Sequence, residues 1–322
     1  MLETFNSLKE IYYLVLSIIG VPVNLLAIVI LTRRNCGLST CTTRYLVAMA
    51  TADLLVIITE VILWRVRYYY FPPSFLDITH VCRVNTLLRR AATDCSVWFT
   101  VLFSFDRFVA ICCLKLNGKY CTGKTAAVVL STTGFLLCSK NIPHYFMQEP
   151  VEIINNIPWQ CSTKPSYFTN PIWVGFDWFD TALTPFVPFA LILLLNALTV
   201  KHILVASRVR KGLRGQRKGE NHTDREMESR RKSVILLITI SGSFILLWLV
   251  YVIHFFYYSI TGSNILEFHG SLYIFRQVAY MLVNLSCCTN TFIYGVTQSM
   301  FREQLKKAFK YPATSISKFM KT

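Results

Sequence analysis

Asp106-Arg107-Phe108 stands at the end of the third of seven long apolar stretches in a chain of 322 residues. Ionisable groups at a membrane boundary are expensive unless they serve one another or a function. A carboxylate beside a guanidinium makes a pair that can open and close as helices move, which is the chemistry of a switch and not of a catalyst. Other polar side chains lie within the apolar stretches: Asn24 in the first, Asp53 in the second, Ser96 in the third, and Asn284, Ser286 and Asn290 in the seventh. Hydrocarbon rejects such groups unless they face one another, so they imply a shared hydrated core. An ionised Asp53 among neutral oxygens suits a small monovalent cation such as sodium. A protonated Asp53 bonded to Asn290 satisfies the same residues, and both arrangements stay open.

Helical phase adds a second site. Arg89 precedes Arg107 by eighteen residues, and five turns of about 3.6 residues bring it to the same face roughly 27 Å further along the axis. With Arg90, Arg276 and Arg65 it points to a ligand carrying a carboxylate or other anion, which a guanidinium fork can grip by two hydrogen bonds. Trp64, Trp178, Tyr251, His254, Phe255 and Tyr280 would supply apolar walls suited to an aromatic amino acid-like molecule or a short peptide. The opposing reading neutralises the arginines at home: Arg90 with Asp94 four residues on, and Glu60, Asp177 or Asp180 from the second and fifth stretches.

The elements that must position these residues are long helices. The chain is 53% hydrophobic, 14% aromatic and 16% charged, with a mean hydropathy of +0.44, a composition that soluble domains rarely show. Stretches at about 8–32, 45–68, 80–113, 125–147, 172–205, 233–260 and 271–297 each exceed the ~20 residues needed to cross a bilayer. The first follows an acidic N-terminal segment with no small-residue cleavage site and is read as a retained helix. The expectation is an all-α membrane protein, a seven-transmembrane helix bundle.

With the N-terminus outside and the C-terminus cytoplasmic, 24 of the 33 Lys and Arg fall on the cytoplasmic side, as the positive-inside rule requires. The net charge of +16 then reflects topology and attraction to anionic lipid, and nucleic acid is excluded as a partner. Of eleven cysteines, only Cys82 and Cys161 lie outside, which makes them the disulfide pair, pinning the longest outer loop across the bundle mouth. No metal-ligand spacing and no nucleophile–base pair is visible, so neither an enzyme nor a metal site is expected and no cofactor is required. The connection at about 207–229 is too basic to pack a core, with flanks that prolong the helices beside it. Phe301, Leu305 and Phe309 at intervals of four, with Arg302, Lys306 and Lys307 between them and Lys310 following, form a short amphipathic helix on the membrane surface.

Gly20-Val21-Pro22-Val23-Asn24, Ala48-Met49-Ala50-Thr51-Ala52-Asp53-Leu54, Cys82, Asp106-Arg107-Phe108, Cys161, Pro188, Phe244 with Trp248, and Asn290-Thr291-Phe292-Ile293-Tyr294 resemble, in order, the landmarks of rhodopsin-like (class A) G-protein-coupled receptors. Leu246-Leu247-Trp248, Asn196 eight residues after Pro188 and the lack of Trp in the fourth stretch resemble an orphan branch of that family. The resemblance implies a receptor domain over 1–299 and a surface helix with a short cytoplasmic tail over 300–322, in the plasma membrane. It further implies an extracellular small-molecule or peptide ligand, a heterotrimeric G protein and arrestin as partners, and contact with membrane lipids. Asp106, Arg107, Phe244, Trp248, Asn290 and Tyr294 would form the activation switch. Asn24, Asp53, Ser96, Ser286 and Asn290 would form the polar core near an allosteric sodium ion. Phe244 and Trp248 on one helical face suit either an aromatic rotor or plain core packing.

Four residues depart from the family pattern: Phe108 for Tyr, Asn196 for Tyr, Val250 for Pro and Thr291 for Pro. Losing two prolines restores backbone hydrogen bonds in the sixth and seventh helices. These changes keep open a ligand-binding or scavenging receptor that does not activate a G protein. A transporter or channel would show an inverted repeat or matched broken helices, and neither is present. A retinal-binding pigment needs a Lys in the seventh stretch, and Leu272 to Gln298 has none.

Overall fold

The computed structural model describes residues 2–33, 36–71, 74–213, 222–261 and 270–310. Seven long helices form a bundle: α1, Leu2–Arg33; α2, Thr40–Tyr70; α3, Thr79–Cys112; α4, Gly123–Lys140; α5, running from Pro171–Thr181 through Ala182–Phe186 into Val187–Leu213; α6, His222–Thr261; and α7, Ser271–Thr297. An eighth, α8, Ser299–Lys310, follows directly. Caps account for several starts: Ser39 accepts from Thr42 N at 3.2 Å, Thr122 from Thr125 N at 3.2 Å, and Asn170 from Ile172 N at 2.9 Å, with Pro171 in the first turn of α5; each satisfies a backbone donor that the helix leaves over.

Among the described residues, α1 to α6 are long and apolar enough to cross a membrane. In α7 the interior-facing Asn284, Asn290 and Thr291 dilute the apolar character of a helix that nonetheless completes the ring. Val128, Phe135, Leu136, Leu246 and Val296 are more than half exposed around the bundle, as lipid-facing side chains must be. Gly20 brings α1 close to α7, since a Cβ there would lie 2.9 Å from Cys288 Sγ.

Two helices depart from α-geometry, both near the disulfide. In α2 the backbone is π-helical over Ile57–Val66, and in α5 over Ala182–Phe186, where Thr184 leaves helical geometry (φ −148°, ψ 109°). Thr184 precedes Pro185, whose ring pushes the preceding residue toward extended backbone. By contrast α6 and α7, without the prolines at 250 and 291, run unbroken over their described lengths.

The segment after α4 holds structure that the all-α expectation does not contain. Strands β1, Gln148–Glu149, and β2, Glu152–Ile154, pair antiparallel with β4, Ser162–Thr163, and β3, Ile157–Trp159, respectively. Asn155 and Asn156, both at positive φ (49° and 64°), make the two-residue turn whose twist suits a hairpin. The Cys82–Cys161 disulfide ties this ribbon to the start of α3, and Thr79 Oγ1 donates to Gln160 O at 2.8 Å beside it. The ribbon therefore lies over one mouth of the bundle.

The flanks of the 207–229 connection continue α5 to Leu213 and start α6 at His222; 214–221 and the tail at 311–322 lie outside the described residues, as do the side chains of Phe309 and Lys310.

Candidate functional site

Near the disulfide end the bundle encloses a cavity of about 340 Å³. The π-helical segment of α2 turns Glu60, Trp64 and Arg65 into its wall, and α3 adds Arg89 and Arg90. Glu60 serves two guanidiniums: its Oε1 lies 2.9 Å from Arg65 Nη2 and its Oε2 lies 2.8 Å from Arg89 Nη1. The Trp64 ring lies 4.7 Å from the Arg89 guanidinium carbon, and Arg65 sits between the rings of Tyr13 and Tyr280 at 5.4 and 5.6 Å. Guanidinium planes stacked on aromatic faces are held in one orientation, with less freedom left to lose when a ligand arrives.

Arg90 takes a different partner from the one its spacing suggests. It bonds Asp180 Oδ2 of α5 at 3.1 Å, while Asp94 turns to Lys140 Nζ and Asn141 Nδ2, each at 2.6 Å. Lys140 also pairs with Asp180 Oδ1, and His144 Nε2 lies 3.6 Å from Asp180 Oδ2. Asp180 stands among the acids expected near the arginines, whereas Lys140 and His144 do not, because they sit at and just beyond the end of α4, where a basic residue ordinarily reads as a boundary marker. Asp177 instead accepts from Tyr167 Oη at 2.5 Å; burial and that carboxylate push the Tyr167 phenol above its ordinary range, so it stays a donor.

The expected walls are brought together only in part. Trp64, Tyr251, Tyr280 and Arg276 line the cavity. Phe255 packs on Trp178 and Phe186, at 6.1 and 5.1 Å between ring centres, and His254 packs on Phe275; none of Phe255, His254 and Trp178 lines it. Trp178 lies on the stretch of α5 before the break at Thr184, and its side chain is exposed.

Beneath the cavity, ring follows ring along α6 and α7. Tyr280 meets Tyr251 at 5.6 Å, Tyr251 meets Trp248 at 5.8 Å, and Trp248 stacks on Phe244 at 5.3 Å with 26° between planes. Trp248 Nε1 donates to Ser286 Oγ at 3.3 Å, tying α6 to α7. Asp53 accepts from Ser96 Oγ at 2.5 Å and Asn290 Nδ2 at 2.8 Å, joining α2, α3 and α7. Asn24 joins from α1 through backbone, donating to Gly20 O and Cys287 O, each at 2.9 Å. The polar core therefore divides in two: Ser96 and Asn290 touch Asp53, whereas Asn24 and Ser286 serve other partners.

At the opposite end Asp106 and Arg107 are buried, and Asp106 Oδ2 accepts from both Arg107 Nη2 (2.5 Å) and Nε (3.0 Å). Two further donors hold the pair. Arg107 Nη1 donates to Ser233 Oγ of α6 at 3.2 Å, and Cys41 Sγ donates to Asp106 Oδ1 at 3.0 Å. The thiol of nearby Cys121 is pushed up to about 12 by burial and by Asp106, and so is neutral. Asn196 Nδ2 donates to Ser241 Oγ at 2.7 Å, tying α5 to α6. Tyr294 is fully buried against Phe301 of α8, 5.9 Å between ring centres. With α6 bonded to Arg107 and to Asn196, this end is closed.

Sequence comparison agrees with this arrangement. The mouse Probable G-protein coupled receptor 142 is 26% identical over 300 residues, covering 92% of this chain and 72% of its own. The rabbit (Oryctolagus cuniculus) Growth hormone secretagogue receptor type 1 is 24% identical over 302 residues, 89% of this chain and 76% of its own. The rat Atypical chemokine receptor 3 is 22% identical over 293 residues, 86% and 73% of the two chains. The profile of the family described as 7 transmembrane receptor (rhodopsin family) matches residues 23–294. The chain is a multi-pass membrane protein that belongs to the rhodopsin family of seven-transmembrane, G-protein-coupled receptors.

Proposed function

We propose that this receptor binds a small extracellular ligand with an anionic group, an aromatic amino acid-like molecule or a short peptide, and activates a heterotrimeric G protein. The observation that carries the reading is the Glu60 clasp. One carboxylate serves both Arg65 and Arg89, so two guanidiniums share a single acid, and a ligand carboxylate entering the cavity gains charge-assisted bonds from either. Tyr251, Tyr280 and Trp64 supply ring faces beside it. Trp248 forms part of the same cavity wall and stacks on Phe244, so a ligand that prefers one position of α6 shifts the balance of the closed end.

In this reading the disulfide end faces outward from the plasma membrane and the C-terminus is cytoplasmic. The movement of α6 frees Arg107 from Asp106 and Ser233 and opens a crevice for the G protein, and arrestin takes the same face. The basic face of α8 lies on anionic lipid. A sodium ion near Asp53 would be held by that carboxylate and the Ser96 hydroxyl, oxygen donors of the kind the ion needs. The test is a screen of amino acids and short peptides against receptor-dependent calcium and cyclic-AMP signals. An agonist whose potency is unchanged by Arg89→Ala at normal surface expression sinks the clasp as anchor.

A second reading has its own observation: the bonds from α6 to Arg107 and Asn196, in a chain altered at Phe108, Asn196, Val250 and Thr291, suit a receptor that binds or scavenges ligand without signalling. Equal second-messenger output from the native chain and Arg107→Ala under every stimulus would favour it.

A further inference from the structure

A second cavity, about 640 Å³, lies between the first and the β-ribbon, and Trp64, Arg65, Arg276 and Gln277 line both. The two are inner and outer chambers of one opening. Lys9 of α1 lines the outer chamber although only 5% of it is exposed. Its ammonium donates to Tyr273 Oη at 2.8 Å and Asn6 Oδ1 at 3.2 Å, and lies 5.2 and 5.8 Å from the Tyr273 and Tyr69 ring centres.

Among the neighbouring cations, Arg65 and Arg89 are matched to Glu60, Arg67 to Asp77, and Arg90 and Lys140 to Asp180. Lys9 has no carboxylate within ion-pair distance among the described residues. Of the acids lining the chamber, Asp77 is taken by Arg67 and Glu152 is exposed on the ribbon. Neutral oxygens and ring faces orient an ammonium without neutralising it, and a buried cation without a counterion is costly. Where the chambers meet, Gln277 is 5% exposed and its Oε1 accepts no hydrogen bond from the described residues. A buried acceptor left over calls for an N–H or O–H donor.

We propose that Lys9 is a second anion-binding point, so that the ligand is an extended molecule with two acidic groups and an amide between them: a short acidic peptide. One acid meets the inner arginines, the amide N–H meets Gln277, and the second acid meets Lys9 under the ribbon. This rests on the anionic-ligand reading of the inner chamber, and the test separates the two.

The full chain, purified in detergent, is titrated with N-acetyl-Glu-Trp, whose Trp amide lies between its two carboxylates, and with N-acetyl-Gln-Trp while thermal unfolding is followed. The native chain should respond to the acidic peptide at about tenfold lower concentration, the worth of one charged hydrogen bond. Lys9→Gln, which keeps a donor for Tyr273, should remove that preference while keeping the response to the neutral peptide, and Lys9→Arg should restore it. No preference in the native chain, or a preference that survives Lys9→Gln, overturns the proposal. Loss of both responses in Arg89→Gln with the preference intact in Lys9→Gln keeps the inner reading and discards the outer one. A preference lost in Lys9→Gln but untouched in Arg89→Gln keeps Lys9 and discards the inner anchor.

Discussion

The two ends of this bundle are built on different principles. Toward the disulfide, helices carry π-helical turns, a β-ribbon covers the mouth, and charged side chains, several of them paired, line two open chambers. Around Asp106 and Arg107 the helices are regular and pack an apolar cluster that includes Leu46, Met49, Phe103, Leu237, Ile240, Tyr294 and Phe301. Ion pairs dominate the lining of the first end, whereas the second packs densely around one buried pair, Asp106 with Arg107. An end that must admit a ligand keeps volume open, and volume left open loses packing, so electrostatics must take over there. An end that must be closed or open, with little between, benefits from dense packing, because packed interfaces shift between discrete arrangements.

The sharpest way to break that contrast is Glu60→Gln. It leaves Arg65 and Arg89 without a carboxylate, and removing one member of a buried ion pair costs about 3–5 kcal/mol. A melting temperature of the purified chain within a degree of the native one would show that the clasp does not hold that end. Cys161→Ser comes next, with about 2–4 kcal/mol expected from freeing the ribbon and a loss of ligand response larger than the loss of surface expression. Between the two ends, where α1 meets α2 and α7, Gly20→Ala drives a methyl against Cys288 Sγ and should cost about 1–3 kcal/mol by overpacking, read from the same melting curve. The smallest effect belongs to Asn196→Ala. Loss of one hydrogen bond between α5 and α6, about 1 kcal/mol, should raise ligand-free signalling by roughly fivefold, and unchanged basal output would show that this bond does not restrain α6.

Thr291 and Val250 sharpen the comparison from another side. With no proline at either position, α6 and α7 keep their backbone ladders, and the restraint on α6 falls to side chains: Ser233 on Arg107 and Ser241 on Asn196. The closed state of this receptor is thus written in hydroxyl groups more than in helix shape.

Much of this was legible in the chain. Seven apolar stretches, the Cys82–Cys161 pair and the buried Asp106–Arg107 pair all follow from local rules, since hydropathy, compartment and adjacency act over short separations. The arginines of the inner chamber were legible as a group, because Arg89 and Arg107 share a helical phase. Glu60 and Asp180 were legible as candidate partners, but which arginine each meets was not. Phase arguments assume 3.6 residues per turn, and the π-helical segment of α2 breaks that assumption where Glu60, Trp64 and Arg65 lie. The spacing of Arg90 and Asp94 likewise favours a pair within α3, and the pair loses to Lys140 and Asn141 arriving from α4. The hairpin had a cue in Asn155-Asn156, hidden because its strands are only three residues long.

The sequence by itself determined that this chain crosses the membrane many times, sets Asp106 beside Arg107 at one end and gathers cations near the other. Only the tertiary structure decided which cation meets which acid, that Phe255 and Trp178 pack away from the cavity, and that Lys9, among the described residues, has no carboxylate within ion-pair distance. Burial in hydrocarbon is a property of composition, whereas a counterion is a matter of a few ångströms between helices far apart in the chain.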